Sequence, residues 1–167
     1  MNGIGALAVF HGVMATTDTG DEVASFVAGV RPDLERALVA RFGLHDGLEA
    51  ASVAVGYAFE NWGRLVSMGN PGGYLYRVGV SSARRSSSRR WRTEVLVGEP
   101  LTVDQPVDVD LQRALARLRP DQRVAVVLVY AHGHSYADAA EILDLPITTV
   151  TNHLNRGLAR LRRLLEQ

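Results

Sequence analysis

Residues 135–165 have the sequence SYADAAEILDLPITTVTNHLNRGLARLRRLL, and this stretch decides the fold of the C-terminal part of the chain. Ser135 can cap a short helix over 136–143, whose two central alanines and final leucine would face a core. The Asp-Leu-Pro sequence at 144–146 predicts a turn, and a longer helix follows over 147–165. A short helix, a tight turn and a second helix with a polar face are typical of a helix-turn-helix, whose second helix enters the major groove of DNA.

The longer helix has one apolar and one polar face. Val150, Leu154, Leu158, Leu161 and Leu165 recur at spacings of three and four, which predicts a stripe packed on the core. Asn and Arg on the other face can each make two hydrogen bonds to a base edge, and arginines further along would bind phosphate. An ordinary amphipathic helix with a solvated polar face is the alternative. The predicted DNA contacts are Thr148, Thr149, Thr151, Asn152, His153, Asn155, Arg156, Arg160 and Arg163.

Helical periodicity also dominates the rest of the chain, and the alternation typical of strands is nearly absent. The sequence therefore predicts an all-α protein of two small helical domains, over 21–92 and 110–167. An acidic segment with two prolines, 93–109, predicts an extended linker, and 1–20 is expected to be a disordered leader. Helices are predicted at about 21–30, 33–43, 46–66, 72–90, 110–118, 121–132, 135–143 and 147–165, with Pro32, Pro71, Pro120 and Pro146 at boundaries.

The composition excludes several classes of protein. All 18 basic residues are arginine, the formal net charge is zero, and the chain has no cysteine, which rules out disulfides and thiolate metal sites. The first apolar run, 4–15, is too short to span a bilayer, so a cytoplasmic protein without membrane insertion is expected. His132 and His134 lack a third ligand nearby, so no metal is expected. No arrangement of nucleophile, base or paired carboxylates indicates an enzyme, a cofactor or a small-molecule substrate.

Charge changes sign in blocks along the chain, which suggests separate surfaces with separate partners. Eight acidic residues and three arginines lie between 18 and 60, whereas 77–92 holds six arginines and no acid. Aromatic residues immediately precede that basic block, at Tyr74 and Tyr76. Rings beside arginines suit single-stranded DNA, on which bases stack while cations follow the phosphates. Core packing followed by a solvated basic tail is the alternative.

Two parts of the sequence resemble extracytoplasmic-function (ECF) sigma factors. The runs RPDQR at 119–123, GHSY at 133–136 and AAEIL at 139–143 resemble the domain that recognises the promoter −35 element. The run GYLYRV at 73–78 resembles the domain that recognises the −10 element and binds core RNA polymerase. Departures are local: Ser52-Val53 replaces a usually polar pair, and Ser81 replaces a common asparagine.

The resemblance implies a factor that binds core RNA polymerase and directs initiation at promoter DNA, with an anti-sigma factor as a further partner. It implies that the segment 65–71 captures a base flipped from the −10 element. The −10 and melting residues would be Ser67, Met68, Asn70, Tyr74, Arg77, Ser81, Arg84 and Arg85, and the polymerase contacts Glu49, Ser52, Val53 and Glu60. A stand-alone helix-turn-helix regulator and a sigma-like helical adaptor are the alternative functions.

Overall fold

The computed structural model describes residues 7–90 and 109–166, with side chains described for 19–86 and 109–166. Within these ranges every regular element is helical, so the predicted all-α class is confirmed. The elements are α1 (Leu7–Phe42), α2 (Leu44–Glu60), α3 (Trp62–Leu65), α4 (Pro71–Arg90), α5 (Val109–Ala116), α6 (Pro120–Val126), a π-helical turn (Val127–Ala131), α7 (Tyr136–Leu143) and α8 (Ile147–Leu165).

The first helix corrects a predicted boundary. Pro32 was expected to separate two helices, but α1 continues through it. Val27 and Leu34 are buried on the two sides of the proline, so one apolar stripe crosses it, and packing outweighs the lost hydrogen bond. α1 also begins at Leu7, within the segment predicted as a disordered leader. Residues 1–6 of the predicted leader and residues 93–108 of the predicted linker lie outside the described residues.

Two other predicted helices are interrupted. The helix expected over 46–66 ends at Glu60, because Asn61 leaves helical geometry and its Nδ2 donates to the Tyr57 carbonyl oxygen at 3.0 Å. Such a side-chain bond competes with continuation of the helix. The helix expected over 121–132 changes to π geometry in its second half, where the His132 N–H bonds to the Val127 carbonyl oxygen at 3.1 Å.

The N-terminal half is built from α1, α2 and α4 packed on one another. Gly43 joins α1 to α2 with φ of 90° and ψ of 171°, a conformation that essentially only glycine adopts. α2 presents buried alanines and a glycine to its neighbours, which allows the helices to approach closely. Leu38, Leu65 and Leu75 are completely buried at the centre of this half.

The C-terminal half packs α8 against α5, α6 and α7. Val124, Leu128, Val150 and Leu154 are fully buried between these helices. The two halves also contact each other, because α1 lies against α6 and α7, and α4 lies against α7. Their buried apolar side chains form one continuous cluster.

Candidate nucleic-acid interface

The start of α7 is fixed by a reciprocal cap. The Ser135 Oγ accepts from the Asp138 N–H at 3.1 Å, and the Ser135 N–H donates to the Asp138 carboxylate at 3.0 Å. The hydrogen bonds from the Ser135 side chain, and then from its backbone, lower the pKa of Asp138. At the other end of α7, Asp144 adopts the left-handed conformation with φ of 52° and begins the turn. The predicted cap and turn are therefore both present.

Replacing Ser135 with alanine tests this cap. Ser135→Ala should destabilise the C-terminal half by about 1 kcal/mol at neutral pH, the usual cost of losing an N-cap. Because the folded-state pKa of Asp138 is lowered, its contribution is present above the unfolded pKa and is lost as pH falls through the folded pKa. The difference between the thermal melts of wild type and variant should therefore be larger at pH 7 than in acid. An equal difference at both pH values would contradict the coupling.

α8 exposes a continuous polar face opposite its buried stripe. Val150 and Leu154 are fully buried, but Leu165, predicted to continue the stripe, is 47% exposed at the last residue of the helix. The Thr151 hydroxyl donates to the Ile147 carbonyl oxygen at 2.8 Å, which ties it to the backbone. Among the predicted contacts, Thr148, Asn152, Asn155, Arg156, Arg160 and Arg163 are exposed, and Thr149, Thr151 and His153 are half-buried.

Tyr74 forms the aromatic centre of a second surface, at the start of α4. The guanidinium carbons of Arg64 and Arg77 lie 5.9 Å and 5.4 Å from its ring centroid. Its hydroxyl is 3.4 Å from that of Tyr57. A half-buried ring flanked by cations is suited to stacking and phosphate contacts with single-stranded DNA.

The other predicted residues of this surface differ in their accessibility. Met68 is half-buried against the core. Asn70 caps α4, because its Oδ1 accepts from the Gly73 N–H at 2.9 Å, while its Nδ2 donates to the Glu141 carbonyl oxygen of α7 at 2.9 Å. Arg77 pairs with Asp144 at 3.0 Å. Ser67, Ser81, Arg84 and Arg85 are exposed.

Comparison with known proteins gives a family match in the C-terminal half and a structural match to the whole fold. The family model described as sigma-70, region 4, matches residues 108–161, which include α5 to α7 and most of α8. The ECF RNA polymerase sigma factor SigM of Mycobacterium tuberculosis is 47% identical over 57 residues, 34% of this chain and 29% of SigM. EcfG of Rhodopseudomonas palustris, another ECF RNA polymerase sigma factor, is 41% identical over 56 residues, 34% of this chain and 31% of EcfG.

Residues 108–161 thus match region 4 of the sigma-70 family, and ECF RNA polymerase sigma factors are similar to this chain over about a third of its length.

A solved structure extends the likeness to the whole fold. The sigma factor RpoE in complex with the anti-sigma factor NepR, from Bartonella quintana, superposes with a TM-score of 0.66 at 22% identity. That match covers 87% of this chain and 97% of the solved chain, so it includes helices on both sides of the region 4 boundary. The sequence matches to curated relatives are shorter, and the matched part of this chain spans less than a third of their length.

The outer face of α2 carries the residues predicted to contact polymerase. Glu49, Ser52, Val53 and Glu60 are all exposed there. Ser52 is occupied within the helix, where its hydroxyl donates to the Leu48 carbonyl oxygen at 3.0 Å. The same face exposes large apolar side chains that the prediction missed, Leu48 and Phe59. Exposed apolar groups bordered by carboxylates are typical of a surface that binds a partner with a basic rim.

Several contacts between helices were not predicted from the sequence, because the partners are distant along the chain. Arg41 of α1 bonds to Asp121 of α6, and Arg123 of α6 bonds to the carbonyl oxygens that end α1. Burial alone would lower the pKa of Arg41, but Tyr76 and Asp121 outweigh it and raise the pKa. Burial, and then the charge of Arg41, lower the pKa of Arg123. These groups join region 4 to the N-terminal helices.

His132 and His134, considered above as a pair of metal ligands, lie beside charged residues of α1. The His134 Nε2 lies 3.0 Å from the Asp33 carboxylate, and burial, with Arg36 and His134, lowers the pKa of His132. In the described part of the chain, one other group gathers potential ligands, His45, Asp46 and Glu49. It is an open acidic cluster on the surface of α2. No helix within residues 7–90 and 109–166 has the length and apolar character needed to cross a bilayer.

Proposed function

We propose that this protein is a sigma factor that binds core RNA polymerase and directs initiation at promoters by recognising −10 and −35 elements. The observation that carries the proposal is the exposed polar face of α8 within a region 4 domain. The face presents Asn152 and Arg156 to solvent while Val150 and Leu154 anchor the helix. A rigid helix with this orientation can enter the major groove without unfolding.

The −35 element would be recognised through two kinds of contact. Asn152 and Arg156 lie in the first half of α8 and can make forked hydrogen bonds to base edges. Arg160, Arg162 and Arg163 lie toward its end and would hold phosphates, which orients the helix without specifying sequence. Selectivity at −35 is therefore assigned to Asn152 and Arg156.

The −10 element would be recognised as single-stranded DNA at the start of α4. Tyr74 provides a ring for stacking, and Arg64 and Arg77 provide positive charge close to it. Arg84 and Arg85 are exposed further along the same helix, where the duplex would begin to separate. Capture of an extruded base costs a few kcal/mol, which a preformed ring and cationic surface help to offset.

Core polymerase would bind the outer face of α2. Leu48, Val53 and Phe59 provide exposed apolar area, and Glu49 and Glu60 border it with negative charge. A complementary partner surface would be apolar with basic residues around it. Polymerase would perform the chemistry, and this protein would supply promoter choice and strand opening. An anti-sigma factor, the partner named for the Bartonella quintana protein, is proposed as a regulator.

Transcription in vitro with purified core polymerase and a promoter library tests the function directly. We expect run-off products only when the protein is present, with shared −10 and −35 sequences among the active templates. Tight binding to duplex DNA, with no dependence on polymerase, would favour a stand-alone regulator instead. Failure to associate with core polymerase and with DNA would favour a helical adaptor.

Removal of two arginines from α4 should separate melting from recruitment. The double variant Arg84→Ala and Arg85→Ala should lower open-complex formation about tenfold or more, since loss of positive charge at the melting junction makes separation of the duplex strands less favourable. Polymerase recruitment to duplex promoter should change far less. Permanganate footprinting and filter binding measure the two steps. If the variant loses as much activity on a premelted template as on a duplex, the melting role is wrong.

A further inference from the structure

Tyr57, in the last turn of α2, contacts the ring that is proposed above to stack on −10 bases. Its hydroxyl oxygen lies 3.4 Å from that of Tyr74, and the two ring centroids are 5.9 Å apart with planes tilted by 42°. Tyr57 was not among the predicted DNA contacts. Because the hydroxyl bond ties the outer end of the Tyr74 side chain to α2, it restricts the rotamers that the Tyr74 ring can adopt.

The hydroxyl pair leaves one hydrogen for a ligand. Two tyrosine hydroxyls carry two hydrogens, and the bond between them uses one, whichever oxygen donates. The hydrogen bond with Tyr74 raises the pKa of Tyr57, so Tyr57 stays protonated at neutral pH. The two half-buried side chains therefore present an O–H donor as well as apolar ring surface.

Arg64 is held beside these rings by the turn that follows α2. The backbone N–H and the Nδ2 of Asn61 each donate to the Tyr57 carbonyl oxygen at 3.0 Å. The Asn61 carbonyl oxygen accepts from the Arg64 N–H at 3.1 Å, and the Ser67 hydroxyl donates to the Arg64 carbonyl oxygen at 2.8 Å. Both backbone polar groups of Arg64 are thus fixed, and its guanidinium carbon lies 5.9 Å from the Tyr74 ring centroid.

The two arginines near Tyr74 differ in their bonding. Arg77 pairs with Asp144 at 3.0 Å. Arg64 is exposed and forms no ion pair with a carboxylate in the described parts of the chain. A guanidinium has five N–H donors and no acceptor. With the spare hydroxyl hydrogen, Arg64 makes the surroundings of Tyr74 rich in donors, so a matching ligand must offer acceptors.

Unpaired guanine meets this requirement. Its N7 and O6 are adjacent acceptors that match the fork of an arginine, and its purine face can stack on a tyrosine ring. Adenine places an amino donor beside its N7, and cytosine has an amino donor on the corresponding edge. Thymine has one acceptor there, next to a methyl group. Of the four bases, guanine is therefore the best partner for Arg64.

We propose that Arg64 recognises an unpaired guanine of the −10 strand while this base stacks on Tyr74, and that Tyr57 is a positioning residue for the Tyr74 ring. The proposal rests on the proposed function for its DNA ligand. It adds the identity of one base to that function, and it assigns separate tasks to Arg64 and Tyr57.

The base is tested with the full-length protein bound to purified core polymerase, with core polymerase alone as the blank. Fluorescent oligothymidines that carry one guanine, one 7-deazaguanine or one adenine are compared by anisotropy. A single purine in a uniform strand can reach the site by sliding, so its register need not be known. Wild type should bind the guanine strand about tenfold more tightly than either other strand, as expected for one forked contact.

Two outcomes contradict the guanine assignment in different ways. 7-Deazaguanine lacks only the N7 acceptor, so equal affinity for the three strands would overturn the assignment and leave the −10 role intact. Absence of single-strand binding above the blank would overturn the −10 role together with the assignment.

Variants of Arg64 test whether this side chain recognises the base. Arg64→Lys retains the charge but lacks the fork, so it should bind the three strands alike and lose about tenfold in affinity for the guanine strand. Arg64→Ala should bind all three strands more weakly still. Arg31→Ala is the matched control, because Arg31 is exposed and pairs with Glu35 on α1. It should keep the wild-type preference. A guanine preference that persists in Arg64→Lys would show that another group recognises the base.

Tyr57→Phe tests positioning, since it removes the hydroxyl and keeps the ring. A strand with 2-aminopurine in place of guanine reports stacking through quenching of its fluorescence. At saturation the variant should retain roughly half of the wild-type quenching if the released Tyr74 ring divides between two staggered rotamers. Tyr130→Phe makes the same change at a 62% exposed tyrosine of region 4 and should quench as wild type does. A folding defect would reduce the amount of bound strand, but not the quenching of each bound strand. Unchanged quenching in Tyr57→Phe would overturn the positioning role.

Discussion

Arg156→Ala should weaken binding to a promoter duplex that carries the preferred −35 sequence by about 1–3 kcal/mol, which is roughly 5- to 150-fold. Arg156 is exposed on α8, one turn beyond Asn152, and it has the forked donor geometry that recognises guanine. Loss of a base contact removes discrimination as well as affinity. The variant should therefore bind preferred and mutated −35 sequences more nearly alike, which competition binding with paired duplexes measures.

Arg162→Ala provides the matched comparison, since the same side chain is removed from the same helix. Arg162 lies in the last turn of α8 and is exposed. A phosphate contact carries no sequence information, so this variant should weaken binding to all duplexes alike. The slope of log affinity against log salt concentration should fall by about one. Unchanged discrimination in Arg156→Ala would show that this arginine does not contact a base, and the orientation assigned to α8 would then be wrong.

Local pattern was sufficient to predict most of the C-terminal half. The short helix, the Asp144 turn and the longer helix lie close to their predicted bounds, because caps, turn residues and apolar spacing all act within a few residues. The Ser135 cap was predicted, but its partner Asp138 was not. The usual capping-box residue is Glu or Gln, and aspartate at the same position is a weaker signal.

Errors arose where tertiary packing opposed a local signal. Pro32 is a strong helix terminator in isolation, yet α1 continues through it because Val27 and Leu34 are buried on one stripe. Asn61 had the opposite effect. α2 ends before it, although the sequence pattern predicts a helix that continues to residue 66. Neither outcome can be obtained from propensity alone, since each depends on what the helix packs against.

The contacts between the two halves could not be predicted from the sequence. Arg41 and Asp121 are 80 residues apart, and Asn70 and Asp144 are 74 residues apart. In the sequence each is an ordinary polar residue on a helix or a turn. The pairing emerges only when α1 meets α6 and α4 meets α7. The prediction assigned Asn70 and Arg77 to DNA alone, whereas in the structure both side chains bond to residues of region 4.

Phe59→Ala should lower affinity for core RNA polymerase by about 2 kcal/mol, roughly 30-fold, without a comparable loss of folding stability. Phe59 is 52% exposed on the outer face of α2, so its ring contributes little to the core but offers apolar area to a partner. Alanine favours the helix, so α2 should remain intact. Fluorescence anisotropy of the labelled protein against purified core polymerase gives the affinity, and a thermal melt gives the stability.

Tyr130→Ala separates a specific polymerase contact from a general loss of exposed aromatic surface. Tyr130 is 62% exposed in the π-helical turn of region 4, away from the face of α2. Its replacement should leave polymerase affinity within about threefold of wild type, because most residues outside an energetic hot spot contribute little to binding. Equal losses in the two variants would mean that Phe59 has no special place in the interface. A loss confined to Phe59→Ala would instead mean that apolar contact at α2 compensates for Ser52-Val53, which stands where the resembled sigma factors usually have a polar pair. Polymerase binding would then depend on burial of Leu48, Val53 and Phe59 more than on charge, and its salt dependence should be correspondingly weak.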